Sequence, residues 1–373
     1  MQKTAVILFN LGGPDERASI KPFLFNFFMD KNIIGAPLPI RWMLAKLISV
    51  KRSKQEAGDS YGFLGDKSPL LENTQKQAEA LQKKLPQHMK VFVSMRYWHP
   101  RAEDVIEQVK EWGAQRLIFL PLYPQFSTTT SFSSVQEWQK QARKQGLKLP
   151  SKIICCYPWD GENGEGGFIG ASADLIRKSY EDLDEQARKK GVKAPRLLFS
   201  AHGLPEVVVK RGDPYQWQCE QSAQKIVDAL AIENLDWSIC YQSRVGPLKW
   251  IGPSTEEELE RAAHDNVPVL IYPHAFVSEH VETLVELDIE YREEADKMGV
   301  PLYGRAPTVM DHPKFIQGLA DTVLAYDTGA EDIRPNFVQG RSQSFCQGQF
   351  KRCACQWLPD LISRPCGQNE EAA

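Results

Sequence analysis

Nowhere in the 373 residues is there a run of about 18 uninterrupted apolar side chains, so no membrane-spanning helix is expected. Neither sign of charge is in marked excess. The 45 Lys and Arg against 48 Asp and Glu leave a formal net charge of −3, which offers no global footprint for nucleic acid. Low-complexity tracts are missing, and so is the G-x-G-x-x-G pattern of a dinucleotide-binding turn. The glycine turn that is present, NLGGP at 10–14, reads as a tight turn or as a place where a flat ligand approaches the backbone. The amino-terminal MQKTAVILFNLGGP lacks an extended basic stretch and a small-residue cleavage site, and it reads as a first strand rather than a signal peptide. A cytoplasmic protein is therefore expected, either dissolved or peripheral on the inner face of a membrane.

What is there is an ordinary globular composition, 42% hydrophobic and 25% charged, in a chain long enough for two domains. Short β-rich runs at 5–10, 91–95, 117–122, 197–200, 237–241 and 269–272 alternate with stretches of helical period such as 102–112 and 216–230. This alternation predicts an α/β fold with parallel sheets. The runs VILFNLGGP, FVSMRYWHP and IFLPLYPQFS are echoed by LLFSAHGLP, SICYQSRVGP and LIYPHAFVSEH, which points to two domains of similar plan. The boundaries expected are 1–150, 151–330 and a Cys-rich extension at 331–373, with the polar stretch 141–152 as a linker. In such folds ligands sit beyond the carboxyl ends of the strands, which gathers Leu11, Arg96, Tyr123, His202 and the segment 276–282 around one cleft. Residues 21–54 mix aromatics and aliphatics with Lys and Arg. They read either as a core helix pair or as an exposed apolar lip for a greasy substrate or a membrane surface.

Three constellations carry chemistry. His202, just past the strand RLLFS, is placed for proton transfer or for a structural hydrogen bond. Around His280 lie carboxylates at 279, 282, 286, 290 and 293, which on an α-helix fall within a stripe roughly 80° wide. Such a stripe is either a solvated face or, facing a crevice, a line that passes cations inward or protons outward. Cys346, Cys353 and Cys355, spaced C-x6-C-x-C, suit an iron–sulfur cluster or a zinc knuckle, unless they are incidental.

Taken in order, LFNLGGP, GDKSPLLENT, MRYWHP, LPLYPQFSTTT, FSAHGLPEVVVKRGDPY, CYQSRVGPLKWIGPST and HAFVSEHVETLVELDIEY resemble the motifs of the ferrochelatase family, from about residue 8 to 291, with a familiar last helix at 313–326. The resemblance implies two similar Rossmann-like, chelatase-type α/β domains, each a parallel four-stranded sheet flanked by helices, with a porphyrin cleft between them. It implies insertion of ferrous iron into protoporphyrin IX to give protohaem. In that chemistry His202 looks like the active-site histidine and Glu282 its partner carboxylate. Metal or proton traffic is implied for His202, Glu282, His280, Glu286 and Glu279. Leu11, Arg96, Tyr97, Tyr123, Trp250 and Phe276 match positions near the macrocycle, and Arg96 and Arg244 are candidates for pairing its propionates or for structural ion pairs. The tail resembles that of members with a 2Fe–2S cluster, except that Thr128 stands where animal enzymes have the remote ligand. Cys155 or Cys156 is favoured for that place, with Cys219, Cys240 and Cys366 open, and cluster-bearing relatives are often homodimers. The rival readings are a chelatase for coproporphyrin or another metal, and a non-catalytic haem or porphyrin carrier. The presence of both His202 and Glu282 favours the enzyme.

Overall fold

The computed structural model describes residues 2–156, 166–244, 248–327 and 350–353. It divides into two units, residues 1–157 with 319–373, and residues 158–318.

The first unit is built on four parallel strands: β1 (Thr4–Asn10), β2 (Met89–Met95), β3 (Arg116–Pro121) and β4 (Ser151–Ile153), in the order β2-β1-β3-β4. All seven residues of β1 are buried, as expected of a central parallel strand covered on both faces. The register sets Asn10 opposite Met95 and Phe9 opposite Pro121, so the strands finish at one level. Leu11 and Arg96 follow directly from those ends, and Tyr123 stands two residues past Pro121. Helices α1 (Ile20–Phe28), α2 (Leu38–Asp59), α3 (Leu70–Gln82), α4 (Ala102–Trp112) and α5 (Ser131–Lys144) complete the unit. In α4, Val105, Ile106 and Val109 turn inward at helical spacing and Gly113 ends the helix at φ 77°.

The expected linker at 141–152 is not one. Its first residues finish α5 and its last enter β4, which pairs with β3 and carries the first unit past the 150/151 boundary. Three residues of strand give too short a period to be read from sequence. Segment 21–54 does form a helix pair, and on α2 Leu38, Ile40, Trp42, Met43, Leu47 and Val50 face solvent. The NLGGP turn is tight: Gly12 has φ 86°, and a Cβ at Gly13 would meet Ser68 Cβ at 2.4 Å.

The second unit repeats the plan with β5 (Arg196–His202), β6 (Trp237–Gln242), β7 (Val269–Pro273) and β8 (Tyr303–Arg305), parallel and in the order β6-β5-β7-β8. His202 lies opposite Gln242, and Ser200 opposite Pro273. Its helices are α6 (Gly167–Lys190), α7 (Glu206–Lys210), α8 (Tyr215–Leu230), α9 (Thr255–Asp265), a π-helix (Glu282–Glu290), α10 (Tyr291–Met298) and α11 (Pro313–Asp327), the last continuing into the first unit. A capping box starts α9: Ser254 Oγ accepts from Glu257 N–H at 3.1 Å, and the Glu257 carboxylate accepts from Ser254 N–H at 2.6 Å. No helix among the described residues is long and apolar enough to cross a membrane.

The core of this unit holds a histidine. His274 is fully buried beside Phe199, Phe168 and Tyr272, with Nε2 2.7 Å from Ser222 Oγ. Burial pulls its pKa down to about 4 from an ordinary 6.5. The unfolded chain therefore binds this proton first as pH falls, and stability is lost from 6.5 downward until the folded pKa is passed. The full effect is about 3 kcal/mol. Urea melts at about pH 7 and about pH 5 should show the loss, and His274→Phe, a ring that never titrates, should flatten it.

Candidate active site

β5 buries six residues in succession and ends on the half-buried His202. The imidazole Nδ1 lies 2.7 Å from the Gly203 carbonyl. A carbonyl only accepts, so Nδ1 carries a proton, and in the neutral ring Nε2 presents its lone pair. The peptide is fixed on both sides: Tyr215 Oη donates to the His202 carbonyl at 3.1 Å, and Gly203 N–H to the Gln242 carbonyl at 2.8 Å. A side chain does not fit at 203, where a Cβ would sit 2.8 Å from that same Gln242 carbonyl and 3.1 Å from the Trp250 ring. Glycine thus lets β6 and the half-buried Trp250 close on the residue behind the histidine.

The acidic segment departs from the expected α-helix. From Glu282 it winds as a π-helix, with Tyr291 N–H reaching back to the Glu286 carbonyl. The single stripe of five carboxylates assumed one continuous helix at α-helical pitch, and it does not form. Glu279 precedes the helix, where its carboxylate accepts from Arg305 Nη1 at 3.0 and 3.2 Å and from Thr308 N–H at 2.9 Å. Glu290 is exposed at the end of the π-helix. Glu293 is exposed on α10, 3.6 Å from Lys297.

Glu282 and Glu286 stay together. Ser243 Oγ donates to both Glu286 oxygens at 2.8 Å, and Gln242 Nε2 donates at 3.1 Å. Burial pushes the Glu286 carboxyl up to about 7, helped by the neighbouring charge of Glu282, against the pull of Ser243, His202 and Gln242. Glu282, Glu286 and His202 therefore lie within electrostatic reach of one another. His280 is buried, with Nδ1 3.1 Å from the Ser278 carbonyl and Nε2 3.8 Å from Glu282 Oε2. Its Nδ1, like that of His202, faces a carbonyl, and the tilted Phe276 ring lies 4.7 Å away between centres.

In the first unit Leu11 is half-buried at the end of β1, its N–H donated to Asn10 Oδ1 at 2.8 Å. Arg96 is already engaged. Its Nη2 donates to Asp30 Oδ2 at 2.9 Å, its Nε to Ser133 Oγ at 2.7 Å, and its guanidinium lies 4.7 Å from the Tyr97 ring centre. Tyr97 is buried, with Oη donating to the same Asp30 oxygen at 2.7 Å, and Ser133 Oγ also donates to it. Of the two readings of Arg96, the structural ion pair is the one formed, and Tyr97 packs beneath it rather than lining an open surface. The half-buried Tyr123 keeps its phenol firmly protonated, because burial pushes that group up. Arg244 sits 3.6 Å from Glu257 and is about one-third exposed, at 34%.

A family profile with the description Ferrochelatase matches residues 3–326. The curated ferrochelatase of a Wolbachia strain from Drosophila simulans is 53% identical over 326 residues, 86% of this chain and 99% of the relative. That of Pelagibacter ubique is 45% identical over 360 residues, 95% of this chain and 98% of the relative. The chain belongs to the ferrochelatase family. It is a metal chelatase, a lyase that places iron in a porphyrin. SirB from Bacillus subtilis, solved with Fe3+, aligns at 15% identity and a TM-score of 0.49 over 88% of this chain and 98% of its own, too distant to add to the sheet order above.

Against that family frame, no three His, Cys, Asp or Glu among the described residues are grouped so as to hold a metal ion. His202, His280, Glu279, Glu282 and Glu286 are thus not assembled as one chelate. Among the described residues no group of thiols is assembled to hold a cluster. Cys346, Cys355 and Cys366 lie outside the described residues, while Cys353, Cys155 and Cys156 are buried, the last two with sulfurs 3.8 Å apart. Sequence reasoning missed Gln242, Ser243, Asp30 and Arg305. The first two stood in CYQSRVGP beside Arg244, but only the register of β5 on β6 brings them to the carboxylate of Glu286. Nothing near Asp30 or Arg305 in the chain announces their partners, which lie 66 residues away at Arg96 and 26 away at Glu279.

Proposed function

We propose that the chain inserts ferrous iron into protoporphyrin IX to form protohaem, with His202 as the base and Glu282 and Glu286 as the carboxylates that hold iron briefly and carry protons. Free porphyrin bears two pyrrole N–H protons in the space the metal must enter. Iron can occupy it only when the ring bends and both protons leave, and protein groups arranged for the bent ring favour that state over the flat one. In the neutral ring, with Nδ1 donating to the Gly203 carbonyl, Nε2 offers the lone pair this step requires, and that 2.7 Å contact is the observation that carries the reading. Each proton passes from pyrrole nitrogen to Nε2 while the nitrogen's electron pair turns to the metal. A carboxyl near neutrality at Glu286 is suited to take such protons on towards water. Oxygen and imidazole donors exchange faster than thiolates, so the metal is not trapped on its way.

Leu11, Tyr123, Trp250 and Phe276 are the proposed ring contacts. Arg96 and Tyr97 support them through Asp30, and Arg244 is the guanidinium with exposure left for a propionate. The apolar side chains that α2 turns to solvent support either an approaching porphyrin or a peripheral membrane contact. A 2Fe–2S cluster rests on the spacing of Cys346, Cys353 and Cys355 in the sequence alone, and no step depends on it.

The test is an anaerobic mixture of protein, ferrous iron and protoporphyrin IX, followed by absorbance, with coproporphyrin in parallel and the product weighed by mass spectrometry. Many turnovers with protoporphyrin are expected. Turnover with coproporphyrin alone would move the substrate, and stoichiometric haem binding without turnover would make the protein a carrier.

A further inference from the structure

The π-helix is held from outside. Its i→i+5 bonding is rare and occurs mostly as single turns, so a run of nine residues calls for external support. The support comes from one short strand and the loop behind it. Tyr303 Oη donates to the Leu287 carbonyl at 2.5 Å. Arg305 Nε donates to Asp288 Oδ2 at 3.0 Å, while its Nη1 holds both oxygens of Glu279. Beyond the strand, Thr308 N–H reaches Glu279, and Met310 N–H reaches the Val277 carbonyl at 3.0 Å. Asp288 is held a second time by Arg292 Nη2 at 3.0 Å, and Arg292 Nη1 returns to the Tyr303 carbonyl at 2.8 Å. Strand β8 and its loop therefore grip the chain at 277–279 and again at 287–288. Between the grips stand His280, Glu282 and Glu286. The Arg305 side chain is only 10% exposed and reaches both sides.

We infer that Arg305 is a positioning residue for the iron-insertion reaction: one buried guanidinium, bound to Glu279 before the π-helix and to Asp288 within it, fixes the placement of Glu282 and Glu286. The same contacts occupy Glu279 and Asp288 with a protein cation. Arginine suits the place because its rigid fork meets two carboxylates at once, which a single ammonium does less well. The inference rests on the reading of Glu286 given above.

A double-mutant cycle tests it. Arg305→Gln should lower kcat about tenfold and leave KM for protoporphyrin unchanged, because the fault lies in the placement of a reacting group and not in ring binding. In a Glu286→Gln background the same change should cost about threefold at most, since Glu282 is then the one reacting carboxylate left to place. Asp288→Asn, which releases one grip and keeps Arg305 on Glu279, should show the same dependence at smaller size and carries the cycle if Arg305→Gln does not fold. Thermal melts of each variant report the folded fraction. An equal loss in both backgrounds, or a loss that follows the folded fraction, would make Arg305 a structural residue only. A Glu286→Gln protein with unchanged kcat would instead overturn the site reading, and the inference with it.

Discussion

His202→Ala should retain its fold and lose about 100- to 10,000-fold of its turnover. The imidazole is half-buried and, among the described residues, makes one hydrogen bond, to the carbonyl of the next residue, while the strand that carries it is secured by the buried apolar residues before it. Removal of the ring therefore leaves β5 and the peptide clamped by Tyr215 and Gln242 in place. What disappears is the Nε2 lone pair and a positive charge that arises when it takes a proton. That charge is one of the influences that draw the Glu286 carboxyl down, so the variant also loses a partner for the carboxylates. Circular dichroism and a thermal melt should match the parent, porphyrin should still bind, and haem formation should all but stop. A folded His202→Ala protein with parental kcat would remove the base from the mechanism.

The carboxyl ends of the strands were legible because parallel strands read as apolar runs closed by a polar or Gly/Pro turn. His202, Leu11 and Arg96 were found at three such ends. β4 and β8 were not, since three residues give no periodicity, and the loss mattered at β8 because Arg305 belongs to it. The acidic residues were legible as a group, but their division was not. Whether a helix winds as α or π depends on partners such as Tyr303 and Asp288–Arg305, which are tertiary. Arg96 shows the same limit from the other side. A strand-end arginine invites a ligand anion, yet here Asp30, from the turn after α1, already supplies the carboxylate. The cysteine pattern at 346, 353 and 355 falls mostly outside the described residues, so its reading stands on spacing.

Glu286→Gln should make the protein more stable and less active. Burial and the charge of Glu282 hold this carboxyl up to about 7 against an ordinary 4.5. The folded state therefore keeps the proton to higher pH than the unfolded chain does. Whatever the group contributes to stability is fully present below 4.5 and is lost as pH rises through about 7. Above that, folding must hold an ionised carboxylate close to Glu282, at a cost of about 1–3 kcal/mol. Glutamine keeps the shape and an oxygen for Ser243, and it has no charge to bury. Urea midpoints should thus favour the variant at about pH 8 and converge with the parent at about pH 4. Turnover should fall about 100-fold, because an amide neither relays a proton nor attracts ferrous iron as a carboxylate does. A site in which one substitution raises stability and removes function is one where the fold bears strain for its chemistry. That is the signature expected of Glu286, held in place by Ser243 and Gln242 on one side and, through the π-helix, by Arg305 on the other.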